Sequence, residues 1–262
     1  MCCCVWQQQK SAAAQPWLTR RRNHRQSAVE DCEHQYGSTV PPVIVFDVNE
    51  TLLDLSPIRS WFGERFGEGP DASTWFSELL RLSFISSLTN LYQPFTELAA
   101  SALETVAARA GVRLETADIA LIKGVLATLP PHPDAPVGLR SLRKAGFTVA
   151  ALTNSPLSTA HAQLAHAGLE ESFDLIMSVD MVGRFKPHHS VYEAAATRLN
   201  VPTNEMVMVA AHDWDIAGAL AAGAAGVFIA RQGQLYSPSF ASPTHSAPDI
   251  ESAASILINR YI

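Results

Sequence analysis

Short apolar runs that end abruptly in polar residues recur along the chain from about residue 43 onward. The first run, residues 43–46, is followed directly by Asp47 and a polar turn. Later runs cover 147–152, 175–178, 206–211 and 226–230, and helical patterns lie between them. Because alternating strands and helices connect by right-handed crossovers, they form a parallel sheet. The pattern therefore predicts an α/β protein with a Rossmann-like three-layer core.

A long helical segment separates the first strand from the rest of this core. Residues 56–66, a stretch capped by Asp71, residues 96–110 and residues 116–129 all show helical spacing, and no strand pattern interrupts them. We therefore predict a helical cap at 56–130, inserted into a core formed by 41–55 and 131–262. Within that core we expect 232–248, which is rich in Ser, Pro and Gly, to be a loop before a closing helix at 250–258.

Residues 1–40 differ in composition from the remainder. They contain all four cysteines of the chain, Cys2, Cys3, Cys4 and Cys32, and an arginine-rich stretch. No apolar run there is long enough for a secretory signal, so we expect a disordered leader on a cytoplasmic protein. Palmitoylation or metal binding by the triple cysteine, and organellar targeting, are weaker alternatives. The folded part should contain neither a disulfide nor a thiolate metal site.

The formal net charge of −6 gives no indication of a nucleic-acid partner, and no apolar run is long enough to cross a membrane. We expect a small-molecule substrate and leave a homodimer open as the assembly.

Polar side chains follow four of the predicted strands at the point where each strand ends. Asp47 follows the first strand, Thr153 the second, Lys186 lies beyond the third, and the loop from His212 to Asp215 follows the fourth. A lone aspartate after a strand more often caps a turn. Ligands of open α/β sheets, however, bind outside the carboxyl ends of the strands. Four polar strand ends on one edge therefore predict an active site.

This order of motifs resembles the haloacid dehalogenase superfamily over about residues 43–235. The match consists of Asp47-x-x-x-Thr51, then Thr153, Lys186 and the acidic loop, and segments 46–54, 185–192 and 214–219 look most like type II 2-haloacid dehalogenases. The resemblance implies hydrolytic dehalogenation of a short 2-haloacid through a covalent aspartyl ester. The catalytic residues that the resemblance implies are Asp47, Lys186, Asp215, His212 and Thr51. The substrate-binding residues that it implies are Val48, Asn49, Thr153, Asn154 and Tyr192.

The residue types fit these roles, although each has a plainer reading. Lys186 would keep the Asp47 carboxylate ionised, where an ordinary lysine would face solvent. Thr51 could cap the turn or hold the Asp47 loop. Thr153 and Asn154 could form a turn or donate hydrogen bonds to a substrate carboxylate or phosphate. His212 could, as a neutral imidazole, orient water or polarise the ester, or it could fill a loop hydrogen bond.

Two positions favour a dehalogenase over the alternative, a phosphatase acting on a small phosphorylated metabolite. Superfamily phosphatases place a second aspartate two residues after the nucleophile to protonate the leaving group, and this chain has Asn49 there. Their metal-binding aspartate lies four residues before the last aspartate of the motif, and counting back from Asp215 gives Ala211 in this chain. We therefore expect no cofactor, and Mg²⁺ only if the phosphatase alternative holds.

Three departures from the type II pattern leave substrate identity open. Those enzymes tend to carry an aromatic residue at the position of Asn49, an asparagine at that of His212, and a substrate-binding cap arginine at about Phe76. Arg59, Arg65 or Arg81 could replace that arginine, and surface ion pairing is the other role for each. A catalytically inactive binding protein with the same fold is a further alternative.

Overall fold

The computed structural model describes residues 41–262, so the predicted leader at 1–40 lies outside the described residues. Six strands form one sheet in the order β3-β2-β1-β4-β5-β6, and every neighbouring pair is parallel. The strands are β1 Val43–Phe46, β2 Val149–Thr153, β3 Leu175–Ser178, β4 Met206–Ala210, β5 Ala225–Ile229 and β6 His245–Ala247. The predicted α/β class with a parallel sheet is confirmed.

The strands owe their uninterrupted apolar sequences to complete burial. Every residue of β1, β2, β4 and β5 is buried, as expected for parallel strands that helices cover on both faces. The helices that alternate with these strands are α5 Ala135–Lys144, α6 Leu157–His166, α7 His189–Leu199, α8 Asp213–Ala221 and α9 Ile250–Tyr261. Since β1 lies between β2 and β4, the residues that follow these three strands meet at one edge.

Four helices lie between β1 and α5, and their bounds are α1 Ser56–Phe66, α2 Ala72–Thr89, α3 Phe95–Arg109 and α4 Thr116–Leu126. The Asp71 side chain accepts a hydrogen bond of 2.8 Å from the Thr74 amide and so caps α2 as predicted. The buried Trp75 ring joins α2 to α3, because its Nε1 donates to the Ala99 carbonyl at 2.9 Å. The exact division into core and cap stays a prediction.

The prediction that 232–248 is entirely loop is wrong. Strand β6 lies in this stretch and pairs in parallel with β5, His245 opposite Val227 and Ala247 opposite Ile229. Its sequence, His-Ser-Ala, has none of the β-branched residues that signal a strand, so the pairing depends on the neighbouring edge of β5. Between residues 41 and 262, none of the helices combines the length and the apolar character needed to span a membrane.

Candidate active site

Asp47 lies directly after β1 and is almost completely buried, with 4% of its surface exposed. Thr51 Oγ1 donates to Asp47 Oδ2 at 2.7 Å, and the Ala211 amide donates to Thr51 Oγ1 at 2.9 Å. The Thr51 hydroxyl therefore joins the loop after β1 to the end of β4 and holds one oxygen of the carboxylate. Of its two predicted roles, the structure gives Thr51 the second, which is to hold the Asp47 loop.

Lys186 is fully buried between two carboxylates. Its Nζ donates to Asp47 Oδ1 at 2.8 Å, to Asp215 Oδ2 at 2.7 Å and to the Leu152 carbonyl at 2.8 Å. Three acceptors match the three donors of an ammonium group. Burial opposes the charge of Lys186, but Asp215 and Asp47 outweigh it and raise the pKa of this lysine. Lys186 is therefore a structural cation of the site and not a solvated surface lysine.

The same ammonium group keeps Asp47 ionised. Burial alone would raise the pKa of the Asp47 carboxyl, but the charge of Lys186 and the hydrogen bond from His212 hold it well below its usual range. Asp215 responds in the opposite direction, since burial raises its pKa more than Lys186 lowers it. Of these two buried carboxylates, Asp47 is the one held most firmly as an anion.

The Tyr192 hydroxyl is hydrogen-bonded to Asp215. It donates to Asp215 Oδ1 at 2.7 Å, and burial raises the pKa of Tyr192 well above its usual value. The backbone of Gly218 lies so close that a Cβ there would be 2.5 Å from Pro187 Cβ and 2.7 Å from Tyr192 Oη. The phenol thus orients Asp215, and its predicted role in substrate binding stays a prediction.

His212 bridges Asp47 and a residue that the sequence did not suggest, Glu50. Its Nδ1 lies 3.2 Å from Asp47 Oδ2 and its Nε2 lies 2.9 Å from Glu50 Oε2. The imidazole is stacked between the Phe76 and Trp214 rings, with centroid distances of 5.6 and 4.9 Å. Burial opposes its charge, but the hydrogen bonds to Asp47 and Glu50 raise the pKa of His212 to about 9. These contacts favour the imidazolium in the free protein at neutral pH, and the catalytic role of His212 stays a prediction.

Asn49 makes hydrogen bonds with both ends of its amide group. Its Nδ2 donates to Ser155 Oγ at 3.1 Å, and its Oδ1 accepts from Gln163 Nε2 at 2.9 Å. Gln163 in turn donates to the Leu126 carbonyl at 2.6 Å. Asn49 is thus fixed beside the nucleophile loop by two residues far away in sequence, and its predicted contact with substrate stays a prediction.

The other predicted substrate-binding residues lie near the site but use their polar atoms within the protein. Asn154 Oδ1 accepts from the Lys186 amide at 2.9 Å, and Thr153 Oγ1 accepts from the Ser155 amide at 3.1 Å. Val48 is completely buried. These contacts position the Lys186 backbone and the turn after β2, while direct contact with a substrate stays a prediction.

A cavity of about 210 Å³ is lined by His212 and by the Phe76 and Trp214 rings that flank it. Its lining includes Glu50 and His212 from the core, Arg59 from α1 and Phe76 from α2. Phe76, the position aligned with the family's cap arginine, therefore presents a ring instead of a positive charge. Of the three cap arginines considered as replacements, Arg59 is the one that lines this cavity.

The other two cap arginines are held by acidic partners elsewhere. Arg81 forms a 2.6 Å ion pair with Glu78, and Arg65 forms one of 3.0 Å with Asp118. Arg59 also has a carboxylate partner, Asp54 at 2.6 Å, so its place in the cavity lining is what distinguishes it from the other two. The geometry therefore leaves Arg59 as the guanidinium group best placed to meet an anion in the cavity.

The residues at this edge do not fit a magnesium site of the phosphatase type. The Lys186 ammonium occupies the position between the Asp47 and Asp215 carboxylates. Ala211 has no carboxylate to offer a metal ion, and its backbone amide donates a hydrogen bond to Thr51 Oγ1. Across residues 41–262, no group of three or more His, Cys, Asp and Glu side chains is arranged to hold a metal ion.

Comparison with known proteins finds one matching family model and several similar dehalogenases. The sequence model of a family described as haloacid dehalogenase-like hydrolase matches residues 41–223. An (S)-2-haloacid dehalogenase 1 of Pseudomonas sp. (strain CBS-3) is 31% identical over 217 residues, which cover 82% of this chain and 95% of that protein. An (S)-2-haloacid dehalogenase of Pseudomonas sp. (strain YL) is 30% identical over 195 residues, 74% of this chain and 84% of that protein.

A solved structure shares the fold. The L-2-haloacid dehalogenase from Xanthobacter autotrophicus superposes with a TM-score of 0.77 at 23% identity, over 83% of this chain and 98% of that one.

Proposed function

The chain belongs to the haloacid dehalogenase-like hydrolases, and from that premise we propose that it removes the halogen from a short 2-haloacid by way of a covalent ester on Asp47. The observation that carries this proposal is the buried Lys186 ammonium between Asp47 and Asp215, at 2.8 and 2.7 Å. It supplies the positive charge that the nucleophile needs from within the protein.

In the first step, the Asp47 carboxylate attacks the carbon that bears the halogen. An ester bond forms, the carbon–halogen bond breaks, and halide leaves with both electrons. Lys186 and Thr51 orient the carboxylate and keep it ionised. In the second step, water attacks the carbonyl carbon of the Asp47 ester and releases a 2-hydroxy acid.

A halide leaving group suits the neighbourhood of Asp47 better than an alkoxide. Halide departs as a stable anion, whereas an alkoxide needs a proton from a general acid, a contribution commonly worth about 10²–10⁴-fold. Asn49, at the position where phosphatases carry that acid, is an amide that is already bonded to Ser155 and Gln163. The site therefore favours a substrate whose leaving group needs no proton as it departs.

The charge of the substrate supports the same choice. A phosphate ester brings several anionic oxygens to the attacking carboxylate, and that repulsion generally requires a divalent cation. A 2-haloacid carries one carboxylate, set apart from the carbon under attack. We assign that carboxylate to Arg59, which lines the cavity, with Thr153 and Asn154 as further donors at the turn after β2.

The proposal is tested with two small substrate panels, one of 2-haloacids and one of phosphate esters. We expect halide release from an L-2-haloacid and no phosphate release, with rates unchanged after dialysis against EDTA. Activity that disappears on chelation and returns with magnesium, or phosphate release without halide release, would contradict the assignment.

A further inference from the structure

Glu50 has a backbone conformation that its residue type disfavours. Its φ angle is 64°, in the left-handed region where glycine is the usual residue. Non-glycine residues held in this region concentrate at functional sites, because the surrounding structure must compensate for the strain. In this conformation the Glu50 carboxylate lies 2.9 Å from His212 Nε2.

The His212 ring has one defined orientation. Glu50 fixes Nε2, Asp47 fixes Nδ1 at 3.2 Å, and the Phe76 and Trp214 rings hold the two faces. A carboxylate on one ring nitrogen and the reacting group on the other is the arrangement by which acid residues orient catalytic histidines.

We propose that His212, oriented by Glu50, is the general base that activates water for hydrolysis of the Asp47 ester. This inference rests on the proposed dehalogenation, and it adds Glu50 as a positioning residue. Because the cavity reaches both His212 and Glu50, water has access to the side of the site where the base lies.

The protons balance over the two steps. In the free protein, the imidazolium faces the Asp47 anion. When the ester forms, Asp47 loses its charge, and the proton on Nδ1 goes to solvent as halide leaves. The other proton remains on Nε2 and is donated to Glu50 in a hydrogen bond, so the lone pair of Nδ1 faces the ester.

Water then adds to the ester carbonyl carbon and gives one proton to Nδ1. The bond between that carbon and the substrate oxygen breaks, and the departing alkoxide takes this proton from Nδ1. The acid left on Asp47 gives its proton back to Nδ1. This restores the carboxylate and the imidazolium, and both protons of the water are accounted for.

The charges around His212 set how its protonation changes. Asp47 and Glu50 are its direct carboxylate partners, Lys186 acts on it through Asp47, and Arg59 lies 3.9 Å from Glu50 Oε1. Asp213 lines the same cavity, and α2 contributes only the uncharged Phe76 ring to the stack. Formation of the ester removes one of the two anions that favour the imidazolium, so the ring becomes a base when the base is needed.

The test separates halide release from release of the hydroxy acid. Wild-type protein, Glu50→Gln and Glu50→Gly are mixed with L-2-chloropropionate, quenched at short times over a range of pH, and both products are measured. The glycine variant suits the backbone at φ 64°, so it keeps the fold while it removes the carboxylate. The exposed Glu68→Gln is the matched control for loss of one acidic group.

We expect both Glu50 variants to release about one halide per site in a burst and then to form hydroxy acid roughly 10²-fold more slowly than wild type. The pH midpoint of hydroxy acid formation should fall by about one unit or more, because the imidazole has lost an anion. A role in structure alone would leave that midpoint unchanged. In His212→Asn the ester should accumulate and the midpoint should vanish.

Wild-type rates and an unchanged midpoint in both Glu50 variants, or a wild-type steady-state rate in His212→Asn, would overturn the inference while the halide burst still supported dehalogenation. Absence of halide from wild-type protein would instead overturn the proposed function.

Discussion

Replacement of Lys186 by methionine should destabilise the protein in a strongly pH-dependent way. The ammonium contacts two buried carboxylates, whose side chains are 6% exposed at Asp47 and 0% at Asp215. Asp47 keeps Thr51 and His212 as partners, whereas Asp215 keeps only the Tyr192 hydroxyl. Leaving a buried charge without its partner typically costs about 3–5 kcal/mol, and we expect a loss of that size near neutral pH.

The sign of the pH dependence follows from burial. Without Lys186, the pKa of Asp215 in the folded protein rises further above its value in the unfolded chain. A raised carboxyl pKa favours folding below the unfolded pKa, near 4, and this advantage is lost as the pH rises through the folded value. The difference from wild type should therefore be largest near about pH 8 and shrink towards about pH 5.

Urea unfolding of wild type, Lys186→Met, Asp215→Asn and the double variant at both pH values measures this effect. The double variant should recover most of the lost free energy, because it removes the charge that was left unpaired. Lys123→Met, which breaks a largely exposed ion pair with Glu97, should change the free energy of unfolding by less than about 1 kcal/mol. A loss below about 1 kcal/mol for Lys186→Met, equal at both pH values, would refute the reasoning.

Three further predictions follow from single contacts. The pKa of His212 is about 9 in the folded protein against about 6.5 in the unfolded chain. Its proton should therefore contribute on the order of 3 kcal/mol to the free energy of unfolding below about pH 6.5, and this contribution should be lost as the pH rises through 9. A difference in the free energy of unfolding between wild type and His212→Asn that does not depend on pH would contradict this. Gly218→Ala should lower both the melting temperature and the rate of dehalogenation, since the added Cβ would meet Pro187 and Tyr192. An unchanged melting curve would show that the protein has room for a methyl group at this position. Arg59→Met should raise KM for a 2-haloacid about tenfold or more with a smaller change in kcat, and steady-state kinetics that show an unchanged KM would place the substrate carboxylate elsewhere.

The part of the site that the sequence predicted depends on the order of the strand ends and on the family resemblance. Asp47, Lys186 and Asp215 each follow the end of a strand, and parallel strands deliver such residues to one edge whatever the detailed packing. Their order along the chain therefore predicted one common edge, and the family resemblance implied their roles. The same reasoning gave the alternation of helix and strand, and it failed at β6, whose pairing depends on the neighbouring strand.

What the sequence did not predict depends on side-chain direction. Glu50 contacts His212, 162 residues away, from a backbone conformation in the left-handed region that the sequence did not indicate. Asn49 is fixed by Gln163 across 114 residues, a contact that no local pattern carries. The charge state of His212 follows from its contacts with the Asp47 and Glu50 carboxylates, and the contact with Glu50 is the one that the sequence did not suggest.

The covalent ester on Asp47 is tested most directly by a single turnover in water enriched in heavy oxygen. Excess protein is mixed with an L-2-haloacid, and the oxygen content of both the 2-hydroxy acid and the peptide that contains Asp47 is measured by mass spectrometry. If water attacks the Asp47 ester, the heavy oxygen appears in the Asp47 carboxylate and the product carries ordinary oxygen from the protein. Heavy oxygen found in the 2-hydroxy acid, with an unlabelled Asp47 peptide, would show direct attack of water on the substrate and contradict the account.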